Sequence, residues 1–141
     1  MSLYKTFATD TDLEKTGINL QFGLVDEDPS LPITIRIARA GGSNMKFAKV
    51  LEAKTKPHRR AIDTKTIDKK TADRLMLETF FESVVLGWEN VTDQEGNLLE
   101  FNLDNFAKVM TDLPDLYDTV KTDARDASLF RQGQLEESAG N

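Results

Sequence analysis

The stretch that decides the fold is Asp68–Trp88, which reads DKKTADRLMLETFFESVVLGW. Its apolar side chains recur every three or four residues, the spacing that places them on one face of an α-helix. They are Ala72, Leu75, Met76, Phe80, Val84 and Trp88, with Leu77, Phe81 and Val85 beside them. Toward its end the segment is apolar almost all round. It is therefore predicted to be the central core helix, capped by Asp68 and ending near Gly87.

Two segments that precede this helix have the alternation of β-strands. Residues 18–24 (INLQFGL) and 33–40 (ITIRIARA) place apolar side chains at every second position and contain several β-branched residues. The acidic, proline-containing segment 25–32 between them reads as a loop. A β-hairpin is therefore predicted over residues 18–40. Because an isolated hairpin is marginal in water, its apolar face must pack on helices or pair with another copy.

Three more helices are predicted from capping residues and prolines. The first follows the glycines and the Ser or Asn cap of AGGSN and ends before Pro57. The second spans about Leu103–Asp112, and the third spans Asp115–Arg131 after Pro114. The predicted fold class is mainly α with a small N-terminal β-hairpin (α+β), with a helical core of about four helices. One domain is predicted over 1–141, made of the hairpin (18–40), a helical region (43–131) and a polar tail (132–141).

Composition excludes several kinds of site. The chain has 141 residues, the size of one ordinary domain, and contains no cysteine. Disulfides, thiolate metal sites and cysteine nucleophiles are therefore excluded, and a reducing cytoplasm fits. No segment approaches the roughly 18 apolar residues of a membrane span, and the N-terminal residues lack the apolar core of a signal peptide. A soluble protein of the cytoplasm is expected.

Charge is distributed unevenly along the chain, although the net charge is only −6. Residues 1–35 contain 2 basic and 6 acidic residues, residues 36–74 contain 12 and 4, and residues 75–141 contain 4 and 14. A basic middle between acidic ends can neutralise itself within the fold, or drive weak, salt-sensitive head-to-tail association of copies. Nucleic-acid binding is disfavoured because the basic segment has few aromatic residues to stack on bases.

The motifs of common catalytic and metal sites are missing or incomplete. The single histidine, His58, is flanked by Arg59 and Arg60, whose charges disfavour its protonated form. The acidic turns DEDPS and TDQEG lack the twelve-residue calcium register. The turn ARAGGSN could hold an anion at a helix N-terminus, but it matches no phosphate-binding fingerprint and more simply needs glycine's backbone freedom. No catalytic, cofactor or metal site is predicted, and the protein is not expected to be an enzyme.

The candidate interaction residues are aromatic or basic. Trp88, the only tryptophan, is either a core anchor at the helix end or a contact residue for a partner. Phe80 and Phe81 belong to the same apolar segment and carry the same two alternatives. Arg59 and Arg60 are the candidates for charge-driven self-association. Reversing both arginines to glutamate is expected to weaken that association.

A further pattern covers most of the chain from about Ile33 onward, and it is carried by residues 84–130, by the ending LEESAGN (135–141), and upstream by residues 37–62. This pattern resembles the tail assembly chaperones of long-tailed bacteriophages. In that family an apolar helix leads into Gly-Trp, an Asp- and Gly-containing turn, an Asn-containing helix start and an LPDL break. The matching positions are Gly87, Trp88, Val91, Asp93, Gly96, Phe101, Asn105, Leu113, Pro114, Asp115 and Leu116.

The resemblance implies a non-enzymatic assembly factor without cofactors. Such chaperones bind the long, helical tape measure protein in the host cytoplasm and are absent from the mature virion. In many relatives a programmed frameshift appends a domain that recruits the tail tube protein. The expected partners are therefore the tape measure protein, the tail tube protein through such an extension, and other copies of the chain, with no membrane.

Two other classes of protein stay open. A structural virion protein of the tail or head–tail connector would use the hairpin for β-augmentation between copies, and purified virions would contain it in fixed copy number. A small nucleic-acid-binding regulator would use the basic residues between Lys46 and Arg74, and its binding to DNA would fall steeply with salt.

Overall fold

A computed structural model of the chain describes residues 2–131. Within these residues the chain forms seven α-helices and three β-strands. The helices are α1 (Leu3–Phe7), α2 (Thr11–Thr16), α3 (Met45–Thr55), α4 (Arg59–Asp63), α5 (Lys69–Ser83), α6 (Leu103–Asp112) and α7 (Pro114–Ala124). The strands are β1 (Ile18–Leu24), β2 (Pro32–Ile37) and β3 (Val85–Glu89). Short 3₁₀ helices occur at Val25–Glu27, Lys56–His58 and Ala127–Phe130.

The three strands form one antiparallel sheet in the order β1-β2-β3. Its register puts Leu20 opposite Ile35, and Ile35 opposite Trp88, so one cross-strand row is apolar. The neighbouring row pairs Asn19 with Arg36, and Arg36 with Gly87. Because side chains alternate between the two faces of a strand, one face of the sheet packs on the helices and the other is polar.

The core lies between the apolar face of the sheet and helices α2, α5, α6 and α7. Helix α5 is central, and α3 packs along its outer side. The largest side chains of the core that are fully buried are Phe80, Phe106, Phe130, Ile35, Ile37 and Met110. They come from four different elements (α5, α6, β2 and the 3₁₀ helix Ala127–Phe130), so the sheet and the helices share one apolar core.

The sequence prediction of a mainly α fold, with strands only in an N-terminal hairpin, is wrong. The hairpin forms as β1 and β2, but the predicted central helix ends at Ser83, and the next residues form the third strand of the sheet. Val84 leaves the helical region with φ −120° and ψ −58°. The region 43–131 is therefore not purely helical, although α+β remains the correct general class.

The reason for this error is the composition of Val84–Trp88. A short run that is apolar on every side fits the end of a buried helix and a buried strand equally well. Two adjacent β-branched valines favour the strand, and β2 leaves a second edge whose N–H and C=O groups need partners. β3 provides these partners by pairing with β2 from Thr34 to Ile37.

Boundaries that depend on local capping are closer to the prediction. The prediction for α6 is confirmed, and the side chain of its cap Asn102 accepts a hydrogen bond of 2.9 Å from the Asn105 N–H. The last predicted helix is too long, because α7 ends at Ala124 and a separate 3₁₀ turn follows, capped by Asp126. The predicted polar tail (132–141) lies outside the described residues.

Candidate functional site

A groove with an apolar floor lies between the sheet, the loop after β3, and the junction of α6 and α7. Its volume is about 690 Å³. The floor is made of side chains that are all aliphatic or aromatic: Phe22, Ile33, Ile35, Val91, Leu99, Val109, Leu113 and Leu116. A groove with such a floor can accept the apolar face of an amphipathic helix. We call it the acidic-rimmed groove.

The rim of this groove is polar and carries more acidic than basic side chains. Its residues are Asn90, Thr92, Asp93, Gln94, Glu95, Asn105, Lys108 and Asp112. The Lys108 ammonium donates a hydrogen bond of 2.9 Å to Asp112, and this bond raises the pKa of Lys108. The rim therefore carries three carboxylates, those of Asp93, Glu95 and Asp112, against the one ammonium of Lys108. A partner with basic residues beside its apolar face would complement both parts of the groove.

One wall of the groove is a tight loop organised by Asp93. Its carboxylate accepts hydrogen bonds from the backbone N–H groups of Asn97 (2.8 Å) and Glu95 (3.0 Å), and its own N–H donates to the Asn97 carbonyl. The backbone hydrogen bond from Asn97 is the largest cause that lowers the pKa of Asp93. Gly96 adopts φ +86°, which a side chain would disfavour. The charge of Asp93 therefore fixes the loop and also contributes to the rim.

Trp88 holds the base of this loop. Its indole Nε1–H donates a hydrogen bond of 2.9 Å to the carbonyl of Leu99, and its ring packs edge-on against Phe101. The ring lies on the core side of the sheet and is half-buried. Trp88 does not line the groove itself, but Leu99 does. Its position is that of a support for the groove wall.

The other predicted aromatic residues also lie inside the fold. Phe80 is fully buried, and its ring meets Phe47 edge-on at 5.7 Å between centroids. Phe81 is half-buried and stacks on Phe101 at 5.0 Å. Neither residue lines the acidic-rimmed groove. Phe81, Phe101 and Trp88 form one aromatic cluster behind the groove wall.

Arg59 and Arg60 lie on α4, on the side of the molecule formed by α3 and the start of α5. Both are exposed, and neither takes part in a salt bridge within residues 2–131. In contrast, Lys54 of α3 bridges to Glu78 (3.0 Å) and Glu82 (2.5 Å) of α5. The structure therefore separates the basic residues that join helices from those that face solvent, and it does not bring Arg59 and Arg60 together with the aromatic residues.

A buried charge network occupies the turn ARAGGSN. The Glu14 carboxylate is bonded to the Arg39 guanidinium and accepts a hydrogen bond of 2.9 Å from the Ser43 hydroxyl. Burial disfavours this carboxylate, but the hydrogen bonds from Arg39 and Ser43 outweigh it, and the pKa of Glu14 is lowered. Gly41 and Gly42 have φ +121° and +56°, as the turn requires. The anion at this helix start is therefore the protein's own Glu14.

A second groove lies on the other side of α6 and α7, against α5. Its volume is about 870 Å³, and we call it the cationic groove. Its charged residues are Asp68, Lys69, Lys70, Asp73, Arg74 and Lys121. Tyr117 lies in its floor with a buried hydroxyl that has no hydrogen-bond partner in the described part of the chain. Burial raises the pKa of Tyr117 to about 12.

Sequence reasoning missed the groove itself. The signal for it was the spacing of Val109, Leu113 and Leu116, which continues an apolar stripe across the break at Pro114. The other residues of the apolar floor come from β1, β2 and the loop after β3, and no local pattern connects them. Between residues 2 and 131, no group of three or more acidic or histidine side chains is placed to hold a metal ion, and no helix is long and apolar enough to cross a membrane.

Comparison with known proteins identifies a family through a range of the chain that forms part of the acidic-rimmed groove. No curated protein and no solved structure matches the chain. The family model of the YdaY prophage protein matches residues 42–141. This range begins at the turn before α3 and includes both helices that separate the two grooves. Since the match covers well over half of the sequence, the chain belongs to the YdaY prophage protein family and is of phage origin.

Proposed function

We propose that this protein is a tail assembly chaperone that binds the tape measure protein of its phage and helps the tail tube to assemble, without catalysing a reaction. The observation that carries the proposal is the acidic-rimmed groove, an apolar floor between two walls with surplus negative charge. The phage origin of the protein and the resemblance of residues 84–130 to tail assembly chaperones support the same function.

The groove suits a long helical client for two reasons. An amphipathic helix presents apolar side chains at i, i+3, i+4 and i+7, and these can enter a floor that contains Ile33, Val91 and Leu113. Lys or Arg residues beside that stripe would meet Asp93 and Glu95. Surface charges contribute little affinity but favour one orientation of the partner, so the contact stays reversible. Reversibility is required if tube subunits are to displace the chaperone.

The remaining partners follow from the same proposal. The protein acts in the host cytoplasm, leaves before the virion matures, and meets the tail tube protein through a frameshifted extension. Copies associate weakly along the tape measure, and the exposed Arg59 and Arg60 assist through their charge. Association that does not change between low and high salt, or on replacing both arginines by glutamate, would remove this role of the arginines.

The test is co-expression with the tape measure protein, the long helical tail protein encoded nearby. We expect the tape measure protein to stay in the soluble fraction when the wild-type chain is present and to precipitate without it. Leu113→Arg introduces a positive charge and bulk at the floor of the groove, at a position that is already 53% exposed. This variant should fold normally but should no longer keep most of the tape measure protein in the soluble fraction.

The matched control is Leu98→Ser. Leu98 is 71% exposed, lies in the same loop as the groove wall, and does not line the groove. We expect it to protect the tape measure protein as the wild type does. Equal precipitation with and without the wild-type chain would contradict the chaperone function. If wild type and Leu113→Arg protect the tape measure protein equally, the chaperone function would stand, but this groove would be excluded as its binding site.

A structural virion protein is the second candidate, favoured by the free edge of β1. Within residues 2–131, β1 pairs only with β2, so its outer N–H and C=O groups have no strand partner there and can accept a strand from another subunit. The pairing is irregular between Gln21 and Leu24, and Gly23 has φ +120°, which weakens this edge as a template. Presence of the protein in purified virions at a fixed copy number would favour this candidate over the chaperone.

A further inference from the structure

The N-terminal helix α1 exposes an unusual amount of apolar surface. Leu3, Tyr4 and Phe7 are exposed to 75%, 84% and 64% of their surface, although α1 has only five residues. A helix this short is not stable in water by itself, because too few hydrogen bonds compensate its nucleation. Three large apolar side chains on such a segment indicate a docking element that needs a surface to cover them.

Charge selects one surface from those in the described part of the chain. Lys5 is the only charged residue of α1. The cationic groove disfavours this charge, because four of its six charged residues are basic and two are acidic. The outer face of the sheet is polar. The acidic-rimmed groove combines an apolar floor with Asp93 and Glu95 on its rim, and it therefore complements both the apolar residues and the charge of α1.

The position of α1 prevents it from reaching the groove of its own chain as a helix. Thr9 is paired with Arg131, and the Asp10 N–H donates to the Phe130 carbonyl at 2.7 Å. These contacts fix α1 near the end of the sheet where β1 begins. The groove lies at the other end, at Phe22 and Ile33. Consecutive strand residues advance by about 3.3 Å, so most of the length of β1 separates the two sites.

We infer that α1 of one copy docks in the acidic-rimmed groove of a second copy. Leu3, Tyr4 and Phe7 enter the apolar floor, and Lys5 faces Glu95. The contact is head-to-tail, because the two surfaces are different and lie at opposite ends of the fold, so it can continue from copy to copy. A five-residue arm buries little area, which makes the association weak and dependent on concentration. The inference stands whether or not a tape measure protein is the client.

The experiment uses two variants that cannot associate alone but complement each other. The arm variant carries Leu3→Ser, Tyr4→Ser and Phe7→Ser, and the groove variant carries Leu113→Arg. In analytical ultracentrifugation we expect the mass of the wild type to rise with concentration. Each variant alone should lose at least about tenfold in association constant, as expected when anchor residues are removed. An equimolar mixture should form a 1:1 dimer.

NMR spectroscopy of the mixture locates the contact. When the arm variant is ¹⁵N-labelled, adding the unlabelled groove variant should shift the amide signals of residues 93–99 and 108–116. Labelling the groove variant instead should leave those signals unchanged. Replacing Lys5 by Glu should weaken association about threefold, and adding Glu95→Lys should restore it. Leu98→Ser is the control with an exposed leucine outside the groove and should associate as the wild type does.

Several results would overturn the inference. A wild type that stays monomeric at every concentration would do so, as would a mixture that forms no dimer while both variants give native spectra. Association that survives the arm variant but is lost on replacing Arg59 and Arg60 by glutamate would assign the contact to the basic face. If association is lost on deleting residues 132–141 while the arm variant still associates as the wild type does, the C-terminal segment and not α1 would be assigned to the groove.

Discussion

The two ends of the sheet are built in opposite ways. At the end where β2 finishes, α2 and the 3₁₀ helix Ala127–Phe130 close the core, and the Glu14 carboxylate is bonded to Arg39 and Ser43. At the other end the apolar floor is left open as the acidic-rimmed groove. We call these the closed end and the open end. Each end carries acidic residues, but Glu14 of the closed end is buried, whereas Glu95 of the open end is exposed.

This difference shows which carboxylates are available to a partner. Glu14 has a side chain that is 2% exposed and is neutralised within the fold, so its role is to hold α2 against the turn before α3. Glu95 is exposed, and Asp93 uses its carboxylate on its own loop while remaining at the rim. Changes at the closed end should therefore act on stability, and changes at the open end should act on binding.

The largest expected effect is that of Phe130→Ala at the closed end. Phe130 is fully buried, and truncating such a ring leaves a cavity that costs about 3–5 kcal/mol in free energy of unfolding. Thermal unfolding followed by circular dichroism should show Tm lowered by about 10–20 °C. A loss below about 1 kcal/mol would mean that the 3₁₀ helix does not close the core, and the comparison of the two ends would fail.

Glu14→Gln should have the next largest effect and should change the pH dependence of stability. The substitution leaves Arg39 with a neutral partner, which should lower the free energy of unfolding by about 1–3 kcal/mol at pH 7. Because the folded pKa of Glu14 is lowered, its contribution is complete above the unfolded value of about 4.3 and is lost as pH falls through the folded pKa.

Urea unfolding of both proteins across a pH series measures this effect. The stability difference between wild type and Glu14→Gln should be constant above about pH 5 and should shrink at more acidic pH. Glu95→Gln serves as the control, because Glu95 is exposed and forms no salt bridge within residues 2–131. A difference that grows on acidification would contradict the lowered pKa of Glu14.

Trp88→Phe is expected to loosen the wall of the open end. Phenylalanine keeps the packing against Phe101 but removes the hydrogen bond to the Leu99 carbonyl, which should cost about 0.5–1.5 kcal/mol. Hydrogen exchange measured by mass spectrometry should be faster in residues 90–99 and unchanged around Phe130. Equal acceleration at both ends would mean that Trp88 supports the whole core and not the groove wall.

Leu113→Ala should have the smallest effect on stability. Leu113 is 53% exposed, so its truncation should cost less than about 1 kcal/mol, in contrast to Phe130→Ala. Its effect should be on binding, measured as reduced retention of the tape measure protein or of a second copy. A loss of stability equal to that of Phe130→Ala would show that the open end is part of the closed core.

Features set by neighbouring residues could be predicted from the sequence. The Asn102 cap, the break at Pro114 and the alternation of the hairpin depend on residues that are close along the chain, and the corresponding elements form. The helix predicted through Val84–Glu89 was wrong because the conformation of this segment depends on the free edge of β2, which is about fifty residues away. A local apolar pattern cannot show which distant partner is available.

The candidate site was less predictable because its parts are distant in sequence. The Glu14–Arg39 pair joins residues that are 25 positions apart, so the burial of Glu14 could not be read from its own helix. The groove needs the sheet, the loop after β3 and the α6–α7 junction at once. Trp88 was a candidate for its residue type alone, and only the structure relates it to the groove wall.

The bond between Trp88 and the Leu99 carbonyl also has an optical consequence. Trp88 is the only tryptophan in the chain, so the protein's indole fluorescence comes from one ring. That ring is joined by one hydrogen bond to a residue that lines the groove. Any client, or second copy, that moves Leu99 should shift the emission wavelength. The protein therefore contains its own label-free reporter of groove occupancy, suited to screening unmodified partners.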